Sequence, residues 1–135
     1  MDVKQSLVFA LMFFCFATSC LMLAIYYGIE TRKGMNSALR IHQTMVNLFF
    51  VHLIFAVILV EIAVRINGGL WDTSPVFVTH MLLVTLSFAG FIRLRLFATG
   101  LMRRDIHAKL AYGTIAIFML SLMTGFYLLL PKLTQ

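Results

Sequence analysis

The chain has 135 residues, of which 61% are hydrophobic and 12% charged, with a mean hydropathy of +0.97 and a net charge of +6. A soluble domain carries about a quarter charged residues, so this composition excludes a soluble globular enzyme, a disordered tail and a disulfide scaffold. The basic residues stand between apolar runs and form no patch, which argues for membrane topology and against a nucleic-acid partner.

The first apolar run covers residues 7–29 and contains no charge. Met1-Asp2-Val3-Lys4 lacks the basic character of a signal peptide, and the run is longer than a signal core. A retained membrane span is expected. Cys15 and Cys20 lie five residues apart inside it and point in different directions on a helix, so they read as small buried apolar residues. Arg32, Lys33 and Arg40 follow. The second run, 41–64, is interrupted by His42, His52 and Glu61. A loop with the turn signal Asn67-Gly68-Gly69 and an interface-suited Trp71 leads to the third run, 76–92, which contains His80. Arg93, Arg95, Arg103, Arg104 and Lys109 precede the fourth run, 110–130, which is uncharged and reads as stopped by Pro131.

A stretch of about 20 apolar residues crosses a bilayer. The expected fold is therefore all-α, a membrane-embedded four-helix bundle forming one domain over residues 1–135. Eight basic residues flank the first and third loops, against Lys4, Arg65 and Lys132 on the other side. The positive-inside rule then puts those two loops in the cytoplasm and both termini outside. The basic rim reads as orientation plus contact with anionic lipid. The sharper alternative is that one or two of its arginines hold an anionic group such as a haem propionate.

All four histidines lie in or beside spans, where an ionisable group needs a partner. His52 and His80 lie at matching depth near the midplane when measured from Arg40 and Arg93, and His42 and His107 match at the cytoplasmic edge. Two such levels suit bis-histidine haem, with His42, His80 and His107 as the metal-ligand candidates and Arg40, Arg103 and Arg104 near the propionates. Structural hydrogen bonding is the competing reading for every one of these rings.

Helical phase adds detail. His107, Ala111, Thr114, Phe118, Ser121 and Gly125 form a small, weakly polar stripe of the kind membrane helices pack on. His80, Ser87 and Phe91 share a face of the third span. On the second, Gln43, Asn47 and Glu61 lie opposite His52, so either this helix is central or one of its faces meets another protein. Glu61 and Arg65 have the spacing of an ion pair.

His42-Gln-Thr-Met45 at the head of the second span, His80 in the third, His107-Ala-Lys109-Leu110 before the fourth and Thr124-Gly125 near its end have a specific order. In this the chain resembles, over residues 30–130, a bacterial four-helix membrane family that includes the CtaM-type cytochrome c oxidase maturation proteins. It departs from that pattern in lacking a Tyr-His near the outer end of the second span and a proline and tryptophan within the fourth. The resemblance implies a role around respiratory oxidases in a bacterial-type inner membrane.

The leading expectation is a haem-associated membrane protein serving assembly of, or electron transfer in, a terminal oxidase or similar complex. A cofactor-free accessory subunit docking on another integral membrane protein is the alternative, and a copper or proton carrier a weaker one. No nucleophile or acid–base constellation points to an enzyme.

Overall fold

A computed structural model describes residues 3–66, 74–97 and 104–133. They form four helices: α1 (Val3–Arg32), α2 (Asn36–Ile66), α3 (Pro75–Phe97) and α4 (Arg104–Leu133). All four are long and apolar enough to cross a membrane, and no strand occurs among the described residues. The fold is all-α because hydrocarbon offers no partner to a backbone N–H or C=O, and a helix pairs them within itself. Each helix contains its expected span and runs past it at both ends.

The helix ends follow local chemistry. α1 closes on Gly34, whose φ of 98° is the left-handed conformation that glycine adopts without strain. The Gly34 amide bonds to Thr31 O at 3.1 Å and the Met35 amide to Glu30 O at 3.3 Å, the paired bonds of a Schellman cap. Two residues later α2 begins. At the head of α3, Ser74 Oγ accepts from the Phe77 amide at 3.2 Å and Pro75 takes the first helical position, where no N–H is needed. Arg32, Arg65 and Arg95 lie in the last turns of their helices and Asp105 in the first turn of α4, each favourable to the helix dipole. Pro131 does not stop α4, which continues to Leu133. A proline removes the bond to the carbonyl four residues back, and in the last turn that loss is small enough for the backbone to run on.

The chain divides into two compact units, Met1–Leu70 and Trp71–Gln135. The described part of each is a hairpin of two helices in contact, α1 with α2 and α3 with α4. In the first hairpin Ala10, Ala17 and Ala24 recur every seven residues along α1 and are no more than 2% exposed. On α2, Phe49, Ala56 and Ala63 recur at the same interval and are equally buried. A seven-residue repeat, alanine at five of these six positions, lets two membrane helices approach closely along a left-handed seam.

In the second hairpin Thr114, Phe118 and Ser121 of α4 and Ser87 and Phe91 of α3 are buried. These are the faces expected from helical phase. Phe91 and Phe118 meet edge to face with ring centroids 5.6 Å apart. The buried hydroxyls are satisfied within their own helices. Ser87 Oγ donates to Leu83 O at 2.7 Å, Thr114 Oγ1 to Leu110 O at 2.8 Å and Ser121 Oγ to Phe118 O at 2.7 Å.

Cys15 and Cys20 correct the expectation of burial: Cys15 is exposed on the face of α1 opposite the alanines, and Cys20 is half-buried. In a membrane the outside of a helix is as apolar as the inside, so a small apolar side chain carries no information about which way it faces.

Candidate functional site

His42, His52 and His80 each have their Nδ1 within bonding distance of a backbone carbonyl. His42, six residues into α2, places Nδ1 2.7 Å from Ala24 O of α1. His80, five residues into α3, places Nδ1 3.0 Å from Ser121 O of α4 and 3.0 Å from Thr124 Oγ1. His52 turns back on its own helix, with Nδ1 2.7 Å from Leu48 O. A carbonyl oxygen only accepts, so each Nδ1 carries the proton and donates. The neutral ring then keeps its lone pair on Nε2.

His42 and His80 are held by the same device. In each case the accepting carbonyl lies four residues before a glycine, Ala24 before Gly28 and Ser121 before Gly125. Inside the helix that carbonyl already pairs with the N–H of the glycine. The imidazole takes the second lone pair, and it reaches it across the space where a Cβ would stand. A Cβ on Gly28 would lie 3.2 Å from His42 Nδ1, and one on Gly125 would lie 2.9 Å from His80 Cε1. Each histidine therefore clamps its hairpin by docking on a glycine of the neighbouring helix. The chain order is reversed between the two: the ring comes from the second helix of the first hairpin and from the first helix of the second. Gly90 has a still closer neighbour, with Thr114 Oγ1 2.5 Å from where its Cβ would be.

His52 sits on the flank of the α1–α2 seam. Its ring centroid is 5.9 Å from that of Phe13 and 5.8 Å from that of Phe16. His107, three residues into α4, is half-buried. His42 and His52 are ten residues apart on one helix, about 15 Å in rise. His80 meets α4 at Ser121, fourteen residues beyond His107, about 21 Å of rise. So neither hairpin brings two histidines to one level, and each expected ligand pair takes one ring from each hairpin. The midplane description of His80 also needs correction. It is far from Arg93, but it lies only about 8 Å of rise from the Pro75 end of α3. No group of three or more His, Cys, Asp or Glu suited to a metal occurs among the described residues.

Arg40 is exposed near the start of α2. Arg104 opens α4, with its side chain outside the described residues, and Arg103 lies outside them altogether, as do the Asn67-Gly68-Gly69 turn and Trp71. Beyond the spans, Lys33 Nζ donates to Glu30 Oε1 at 2.8 Å, and that carboxylate holds the ammonium above its ordinary pKa. Arg65 Nε donates to Glu61 Oε1 at 2.7 Å, the expected ion pair, with both side chains exposed.

No family model, curated protein or solved structure matches this chain.

The partner-facing candidates lie together. Gln43, Asn47 and Glu61 are all exposed on one face of α2, turned away from the seam that His42, Phe49 and Ala56 make with α1. His52 belongs to the α1 side. The two-faced polarity of α2 thus divides into a face used inside the hairpin and a face that α1 does not cover. Gln43 and Asn47 make no side-chain hydrogen bond among the described residues.

The sequence reading put Gly125 on a packing stripe but missed Gly28 and Gly90, and missed that Gly28 and Gly125 each receive a histidine ring. A glycine in a membrane helix, facing a histidine at the same level of the neighbouring helix, marks a ring packed on backbone.

Proposed function

We propose that the chain is an accessory subunit of a larger membrane complex, its two hairpins held by histidine clamps and its open α2 face docked on another integral membrane chain. The observation that carries this reading is Asn47. It lies eleven residues inside α2, exposed, with no hydrogen-bond partner among the described residues. A carboxamide in hydrocarbon is favourable only when something pairs with it, and a neighbouring membrane helix is the usual source. His42 and His80 support the same reading, since hairpin packing accounts for both without a cofactor. The resemblance stated above would make the complex a respiratory oxidase of a bacterial-type inner membrane and the chain a factor in its assembly.

A second reading keeps the haem. Metal-bound histidines almost always donate their other ring N–H to a carbonyl or carboxylate, which fixes the tautomer and orients the ring. His42, His52 and His80 all have that arrangement, so each presents an Nε2 able to bind iron. Residues that would serve such a site are those of the expected pairs, His42 with His107 or His52 with His80, and Arg40, Arg103 and Arg104 for the propionates.

Purification from the native membrane in mild detergent separates the two readings. The accessory reading expects a second membrane protein in stoichiometric amount and no Soret band. A Soret band in the isolated chain, lost on substitution of one histidine, would favour haem.

A further inference from the structure

Charge divides unevenly between the two ends of the helices. Eight of the eleven basic residues fall, by chain order, at the ends where α1 leads into α2 and α3 into α4. Of the five carboxylates only Glu30 and Asp105 fall there: Asp2 precedes α1, Glu61 is in the last two turns of α2 and Asp72 stands between α2 and α3. Glu30 is occupied by Lys33, whose Nζ lies 2.8 Å from its Oε1, and Asp105 has an interaction of its own. The chain therefore cannot balance these ends with its own carboxylates, however the hairpins are placed, and the counter-charge must come from outside it.

The first hairpin offers two unused cations at this end. Arg32 is the last residue of α1 and Arg40 the fifth of α2, so both stand beside the turn that joins the helices. Both are exposed, and neither guanidinium makes a hydrogen bond or ion pair among the described residues. Exposed apolar side chains adjoin them, Ile29 one turn before Arg32, and Leu39 and Ile41 on either side of Arg40. We propose that Arg32 and Arg40 hold the headgroup of an anionic phospholipid, whose acyl chains run along the apolar surface of the same hairpin, and that Lys33 takes no part. A guanidinium presents a planar fork of donors that matches a phosphate, and a long side chain at the end of a span reaches up to the level where headgroup phosphates lie. The phosphate of a zwitterionic lipid is already balanced by that lipid's own cation, so the uncompensated arginines select an anionic one. A free phosphate ion would suit the arginines and leave the apolar surface beside them unused. Of the three basic residues at this end of the hairpin, two bind and the third is spent on Glu30.

The test uses the full chain in nanodiscs of phosphatidylcholine containing a trace of photo-reactive lipid, either phosphatidylglycerol or phosphatidylcholine, with the reactive group on the acyl chain close to the glycerol. Adducts are mapped along the chain by mass spectrometry. The expected result is that the phosphatidylglycerol probe labels residues 29–41 several-fold more than the phosphatidylcholine probe. Arg32→Gln and Arg40→Gln should each lower that labelling about five-fold, the equivalent of about 1 kcal/mol for one basic residue near an anionic surface. Glu30→Gln combined with Lys33→Gln removes the internal pair without changing the net charge and should leave the labelling as it was. Equal labelling by the two probes would overturn the proposal. So would a loss in the Glu30→Gln, Lys33→Gln chain as large as that in Arg32→Gln, which would give Lys33 the role assigned to the arginines. If millimolar inorganic phosphate at constant ionic strength abolished the phosphatidylglycerol adduct, the arginines would be taking the free ion, and the lipid would be refuted as the occupant.

Discussion

Alanine at Gly125 and alanine at Gly113 are the same change on the same helix, and they are expected to act in opposite directions. At Gly113 a new Cβ has nothing within 4 Å, so the substitution gains only helix propensity, up to about 1 kcal/mol. At Gly125 the new Cβ would stand 2.9 Å from His80 Cε1. Ordinary contact needs a shift of about half an ångström, and overpacking of that kind costs about 1–3 kcal/mol. The ring has little room to give, because its Nδ1 is anchored 3.0 Å from Ser121 O. A shift of that size stretches the bond to its limit and forfeits about 0.6–1.7 kcal/mol more. Set against the propensity gain, Gly125→Ala should destabilise the α3–α4 hairpin by about 1–4 kcal/mol, while Gly113→Ala is neutral or stabilising. Reversible unfolding of the chain in mixed micelles measures both. Adding His80→Ala to Gly125→Ala removes the obstruction, so the double variant should lose less than the sum of the two single losses. If Gly125→Ala unfolds together with Gly113→Ala, the histidine clamp is not a packing contact and the reasoning fails.

Gly34→Ala places a side chain at a φ of 98° and should cost about 1–2 kcal/mol, read as a lower unfolding midpoint of the same micellar preparation. Cysteines introduced at residues 30–39 and 97–106 should resist impermeant reagents applied to intact cells if the orientation expected from the basic asymmetry holds, and labelling of either from outside reverses it. Should a haem be found, His42→Ala and His107→Ala should each abolish its Soret band if the edge pair is the ligand set. Loss on His52→Ala alone would move the ligands to the deeper pair. Arg65→Ala breaks an exposed ion pair and should change stability by less than about 1 kcal/mol, and a larger loss would mean that the pair is buried in the working assembly.

The helices were legible in the sequence because hydropathy and length decide them together, and the four expected spans lie inside the four helices. The packing faces of α3 and α4 were legible as well. Ser87, Thr114 and Ser121 stand out as weakly polar in apolar runs and turn inward. Within the apolar run of α1 that contrast is missing: its inward face carries alanines every seven residues with Leu7 and Leu21, a pattern of size and not of polarity. The histidines illustrate the other limit. Depth along a span could be counted from the sequence, but the partner of His42 is a carbonyl of Ala24 and that of His80 a carbonyl of Ser121. Backbone acceptors are present at every residue, so no side-chain spacing announces them. The ends of helices were the least legible, as Pro131 shows by lying within α4.

On the proposed reading, the face of α2 that α1 leaves uncovered meets another membrane chain while the histidines remain clamps. Native mass spectrometry of the particle released from its own membrane reads both at once. The prediction is a particle heavier than one chain, which dissociates into this chain and at least one further membrane polypeptide, with no mass beyond polypeptide and lipid. A lone chain, or a chain carrying the mass of a haem, would contradict it.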